Sequence, residues 1–126
     1  MQRDLRLSNF DLSKEEPYLV GAVAPSDLDI EDFDLWPHQH WVPANVARVI
    51  IGVAQAYGAQ FPARLADWHV RSVFDHAQSE WVAREIEFVG SVIDDEPVAH
   101  HAAQISRLAR AVSASQGALV LVFEGQ

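Results

Sequence analysis

The chain has 126 residues, no cysteine, and 18 acidic against 9 basic side chains, for a formal charge of −9. A domain of that length buries roughly two-thirds of its unfolded surface and needs neither metal nor disulfide to hold a core, so one globular domain over residues 1–126 is expected. The missing thiols exclude disulfide scaffolds, zinc–thiolate centres and cysteine nucleophiles, while the acidity argues against direct binding to nucleic-acid phosphates or an anionic membrane.

The N-terminal MQRDLRLSNFDLSKEE contains no uninterrupted apolar run of the kind found in a secretory leader, so a soluble cytoplasmic protein is expected. Residues 3–10 (RDLRLSNF) and 17–24 (PYLVGAVA) read as a strand pair joined by the polar DLSKEE. A long acidic loop follows from Pro25 to Val42. Between Glu15 and Ala47 lie Glu15, Glu16, Asp27, Asp29, Glu31, Asp32 and Asp34, with no Lys or Arg. The run DLDIEDFDL interleaves these acids with Leu28, Ile30, Phe33 and Leu35. A purely solvated charge run has no use for those four apolar residues, so one side of the segment is expected to dock on the protein while the acids project outward.

The second half reads as helical. Pro43 suits a first helical turn, and Val46, Val49, Ile50, Val53, Ala54 and Tyr57 follow at helical spacing before Gly58. The segment VARVIIGVAQAYG within it is too short and too amphipathic to span a bilayer. Pro62 opens a second expected helix, with Ala66, Val70, Val73, Phe74 and Ala77 on one stripe. Residues 79–93 place Trp81, Val82, Ile86, Phe88, Val89, Val92 and Ile93 on one half of a helical wheel. Asp94, Asp95, Glu96 and Pro97 form a strong start for a fourth helix, since carboxylates cap free amides and complement the helix dipole. Its stripe is Val98, His101, Ala102, Ile105, Leu108, Ala109 and Val112. The closing ALVLVFE, residues 118–124, is apolar on both faces and reads as a strand covered on both sides. The expected fold is α+β: a small sheet from the N-terminal strand pair and the C-terminal strand, packed with about four helices.

Residues 34–43, DLWPHQHWVP, are the most unusual stretch. The prolines favour extended backbone before them, and alternation then puts Asp34, Trp36, His38 and His40 on one side and Leu35, Gln39 and Trp41 on the other. Two imidazoles at i and i+2 can meet one metal ion, which makes His38 and His40 weak metal candidates. The stronger readings are a tryptophan lid over the core and an aromatic binding surface with an acidic rim. Elsewhere, His69 and His76 are seven residues apart on the second expected helix, about 10 Å along its axis, and read as solvent-facing. His101 reads as a hydrogen-bonded core histidine and His100 as pointing to solvent. Trp68 falls off the stripe of its helix and is a candidate interface residue.

No nucleophile elbow, phosphate-binding loop, dinucleotide fingerprint, zinc-protease motif or EF-hand is present. No cofactor is expected. The charge layout favours a non-enzymatic, acidic protein-binding module with a basic protein partner. The best class is a stoichiometric inhibitor of a nucleic-acid-handling protein such as a nuclease, acting as an immunity-type inhibitor or as a decoy that mimics DNA charge. The expected partner-binding residues are Asp27, Asp29, Glu31, Asp32, Asp34, Trp36, His38, His40 and Trp41. Two alternatives stand beside it: a small enzyme using His38 and His40, with or without metal, and a structural subunit that self-associates through a strand or the aromatic loop.

Overall fold

The computed structural model describes residues 17–59 and 71–124. In chain order these form β1 (Tyr18–Val23), two 3-10 turns (Pro25–Asp27 and Phe33–Leu35), β2 (Gln39–Val42), α1 (Ala44–Ala56), β3 (Ser72–Phe74), α2 (His76–Val92), α3 (Glu96–Ala114) and β4 (Val120–Glu124). The four strands make one antiparallel sheet in the order β2-β1-β4-β3. The α+β class is therefore as the sequence predicts, with three α-helices among the described residues.

The central strands are apolar on both sides because both sides are covered. All six residues of β1 are buried, as are Leu121, Val122 and Phe123 of β4. Alternation along the strands sorts them into two cores. Tyr18, Val20, Ala22, Val42, Phe74, Leu121 and Phe123 face the helices, where they pack with Ile50, Val82, Ile86, Val89, Ile105 and Ala109. Leu19, Val23 and Val122 face the other way and meet Trp36, with Leu28, Ile30, Phe33 and Val120 around them. The acidic loop is what covers this second face.

Local chemistry sets the helix bounds. Asp75 opens α2 with a capping box: its carboxylate accepts from the Gln78 amide at 2.8 Å, and the Gln78 side chain accepts from the Asp75 amide at 3.0 Å. Asp95 opens α3 by accepting from the Val98 amide at 3.0 Å, with Glu96 in the first turn. α1 starts behind Pro43 without a side-chain cap and ends before Gly58, whose φ of +78° suits glycine.

Several sequence expectations shift. Residues 72–74 do not continue a helix: Val73 and Phe74 pair with Val122 and Leu121 as β3, and Ala77 belongs to α2. The rest of the helix expected from Pro62 lies outside the described residues, as do the strand expected over 3–10 and both Trp68 and His69. The acidic loop ends four residues early in β2, so β1 finds its partner there. On α1 the buried seam runs through Ala44, Val46, Ala47, Ile50 and Ala54, where the helix packs on α2 and α3. Val49 and Tyr57 are left exposed, with the Tyr57 ring edge-on to Phe88 at 5.1 Å between centroids. On α3 the expected stripe is buried as predicted, apart from the half-buried His101.

Candidate functional site

The loop from Pro25 to His38 is held to the sheet from several directions. Its two 3-10 turns close through Asp27 N to Ala24 O at 2.8 Å and Trp36 N to Phe33 O at 3.0 Å. In a 3-10 turn, side chains at i and i+3 eclipse, so Phe33 and Trp36 point the same way. Their ring centroids are 4.9 Å apart, and both face the second core. Trp36 is only 2% exposed, and its Nε1 donates to the Asp27 carbonyl at 3.1 Å. Gln39 ties the end of the loop down by donating to the carbonyls of Phe33 at 2.8 Å and Trp36 at 3.0 Å.

Arg71, just before β3, is the clamp that sequence reasoning missed. It donates from Nη1 to the Leu28 carbonyl at 2.7 Å, pairs through Nε with Glu124 at the end of β4, and sets its guanidinium carbon 5.8 Å from the Trp36 ring centroid. Its planar fork suits this combination of carbonyl, carboxylate and aromatic face. The available signal was an arginine immediately before a short β-like run, which does not by itself identify a partner 43 residues away.

The structure divides the expected site residues into groups. Asp29, Glu31 and Asp32 are exposed on the loop, Asp27 is half-buried, and Asp34 lies in the second turn. Leu28, Ile30 and Phe33 dock inward as expected. Leu35 and Trp36 exchange the sides that strict alternation assigns them: Leu35 is 66% exposed and Trp36 is core, because the 3-10 turn breaks the two-residue period. Trp36 is therefore buried beneath the loop as part of the second core. Trp41 lies opposite Leu19 in the β1–β2 register, hence on the loop side of the sheet, with 36% of its surface exposed. His38 is exposed, and its carbonyl accepts from the Ala22 amide at 2.9 Å.

His40 belongs to a different constellation. It lies on the helix side of β2, opposite Val20, and its Nε2 is 2.8 Å from Nδ1 of His101 on α3. The ring centroids are 5.0 Å apart, and the His100 ring lies 5.1 Å from His101 and 6.1 Å from His40. Burial, and then the neighbouring His101, His100 and Arg107, push the His40 pKa down to about 4. Burial and His100 also lower that of His101. Both rings are thus neutral near pH 7, one donating and the other accepting. Among the described residues no group of three or more His, Asp or Glu side chains is placed to hold a metal ion. His40 is engaged by His101 on the helix side of the sheet.

Comparison with protein-family models, curated proteins and solved structures returns no match. Among the described residues, no helix is long and apolar enough to cross a membrane.

Proposed function

We propose that the protein is a binding module that presents the acidic loop to a basic protein partner. The observation that carries this reading is the way the loop is mounted. Leu28, Ile30, Phe33 and Trp36 seat it on a second core while Asp29, Glu31 and Asp32 stand exposed on its outer side. A charged face fixed before binding loses less conformational entropy on association than a floppy acidic tail. Clustered carboxylates also steer a basic partner into encounter. Leu35 and Trp41 add exposed apolar surface on the loop and on the loop side of β2. Apolar anchors beside charge are the usual composition of a specific interface.

The partner class that suits this face is a protein with a basic groove built for phosphates, such as a nuclease or another nucleic-acid-handling protein. The module would act on it as a stoichiometric inhibitor, by charge mimicry or direct occlusion. The enzymatic alternative at His38 and His40 is weaker. A histidine whose pKa is near 4 is a poor general base at neutral pH.

The test is capture from nuclease-treated host lysate at low salt, followed by salt-step elution and mass spectrometry. The wild-type protein is run beside the variant Asp29→Asn, Glu31→Gln, Asp32→Asn, Asp34→Asn. The expected result is a basic protein released by salt from the wild type and missing from the variant. A blank, or retention of the same proteins by both, overturns the reading.

A further inference from the structure

The histidine cluster is not used by the acidic face and lies on the opposite side of the sheet from it. Gln39 and His40 are consecutive residues of β2: Gln39 fastens the end of the loop, and His40 reaches across to α3. β2 is an edge strand of four residues, bonded within the described sheet only to β1. Its tie to the helical layer includes Val42 in the core and the His40–His101 contact. Local opening is easiest where buried apolar contacts are few, and of β2 only Val42 is buried.

We propose that the His40–His101 contact, with His100 beside it, is an acid-sensitive latch: near neutral pH it fastens β2 and the end of the acidic loop to α3, and it releases them when the rings take up protons. The geometry requires this sense of action. A neutral pair shares one hydrogen between Nε2 and Nδ1. A first added proton leaves an imidazolium donating to an imidazole, and the bond survives. A second leaves two donors facing each other at 2.8 Å with no acceptor between them.

The surroundings of the pair work in the same direction. From α3, the groups acting on His40 are His101, His100 and Arg107, and all three disfavour its positive charge. From β1, the residue opposite is Val20, which carries none. The nearest acids along α3, Asp95 and Glu96, stand at its exposed start. Two coupled rings titrate as a pair, so opening is linked to more proton uptake than a single histidine supplies. Because β2 ends the loop, acid loosens the acidic face as well. This last consequence, partner release in acid, rests on the proposed binding function, whereas the latch itself does not.

The test is amide hydrogen exchange of the whole chain at pH 7 and pH 5, corrected for intrinsic exchange. It compares Gln39–Val42 of β2 with Val120–Glu124 of β4 in wild type, His40→Gln and His101→Gln. The latch predicts that β2 of the wild type loses at least about tenfold more protection than β4, and that either substitution removes most of this difference. Equal loss in both strands, no loss in β2, or an undiminished difference in both variants overturns it. If the variants do not fold, proton NMR titration of the wild-type rings decides. Coupled, depressed transitions of His40 and His101 support the latch, and two independent transitions near pH 6.5 refute it. No partner is needed, so the latch and the binding function fail separately.

Discussion

Trp36 packs close against β1 because residue 21 has no side chain. A Cβ built at Gly21 would stand 2.7 Å from Cε3 and 2.9 Å from Cζ3 of that ring, closer than carbon atoms approach. Gly21→Ala must therefore displace the tryptophan and with it the loop. Chemical denaturation should show a loss of about 1–3 kcal/mol, the usual cost of overpacking a filled core. The glycine half of this contact was not legible, whereas a tryptophan lid over the core was one reading of the loop, and Trp36 is that lid. Strict alternation groups it with His38 and His40, and nothing local announces the 3-10 turn that moves it to the other side. The histidines were half legible. His101 stands in an apolar stripe and is hydrogen-bonded, as expected, but its partner is 61 residues away, and only the sheet register reveals it as His40. The pKa of His40 is lower in the folded chain than its ordinary 6.5, at about 4, so between those values the unfolded chain binds more protons. Its contribution to stability is complete above pH 6.5 and is lost as the pH falls toward 4. With the ring only half-buried and partly screened, the loss should be on the order of 1–2 kcal/mol. Denaturation curves across that window should show it in the wild type, and His40→Gln should flatten it.

At the scale of elements, the helices announced themselves and the short strands did not. The Asp-Asp-Glu-Pro run fixed the start of α3 within a residue, and the wheel over 79–93 identified α2 despite its Val, Ile and Phe content. The start of α2 held an unread signal. Asp75 followed by Gln78 is a capping box, and a helix that begins at His76 cannot be the continuation of one running through Val73 and Phe74. Asp75→Ala should lower stability by about 1 kcal/mol in denaturant titration, since it removes the cap from the Gln78 amide; an unchanged midpoint would mean the cap carries no net weight. β2 and β3 have four and three residues, too few for a periodic pattern, and their pairing is decided by β1 and β4 far along the chain. The acidic loop was legible in the important respect. Its interleaved Leu28, Ile30 and Phe33 predicted a docked segment, and they form part of the second core.

Over the whole molecule, the division of labour follows the sheet. Helices cover one face and build the main core; the loop covers the other and carries the exposed Asp29, Glu31 and Asp32. β4, the most apolar strand, is central rather than an edge, which protects it from pairing with another chain. That placement removes the route to self-association that an open ALVLVFE edge would offer. A net charge of −9 adds a long-range field to this arrangement, and such a field acts on encounter more than on the fold.

The most direct measurement is the affinity of the captured partner for wild type and for the fourfold loop variant at low and physiological salt. A mounted acidic face predicts that wild-type affinity falls at least about tenfold across that range. Removing four carboxylates should weaken binding at low salt by a similar or greater factor and flatten the salt dependence. Equal affinity and equal salt dependence in the two proteins would contradict the claim that the loop is the binding face.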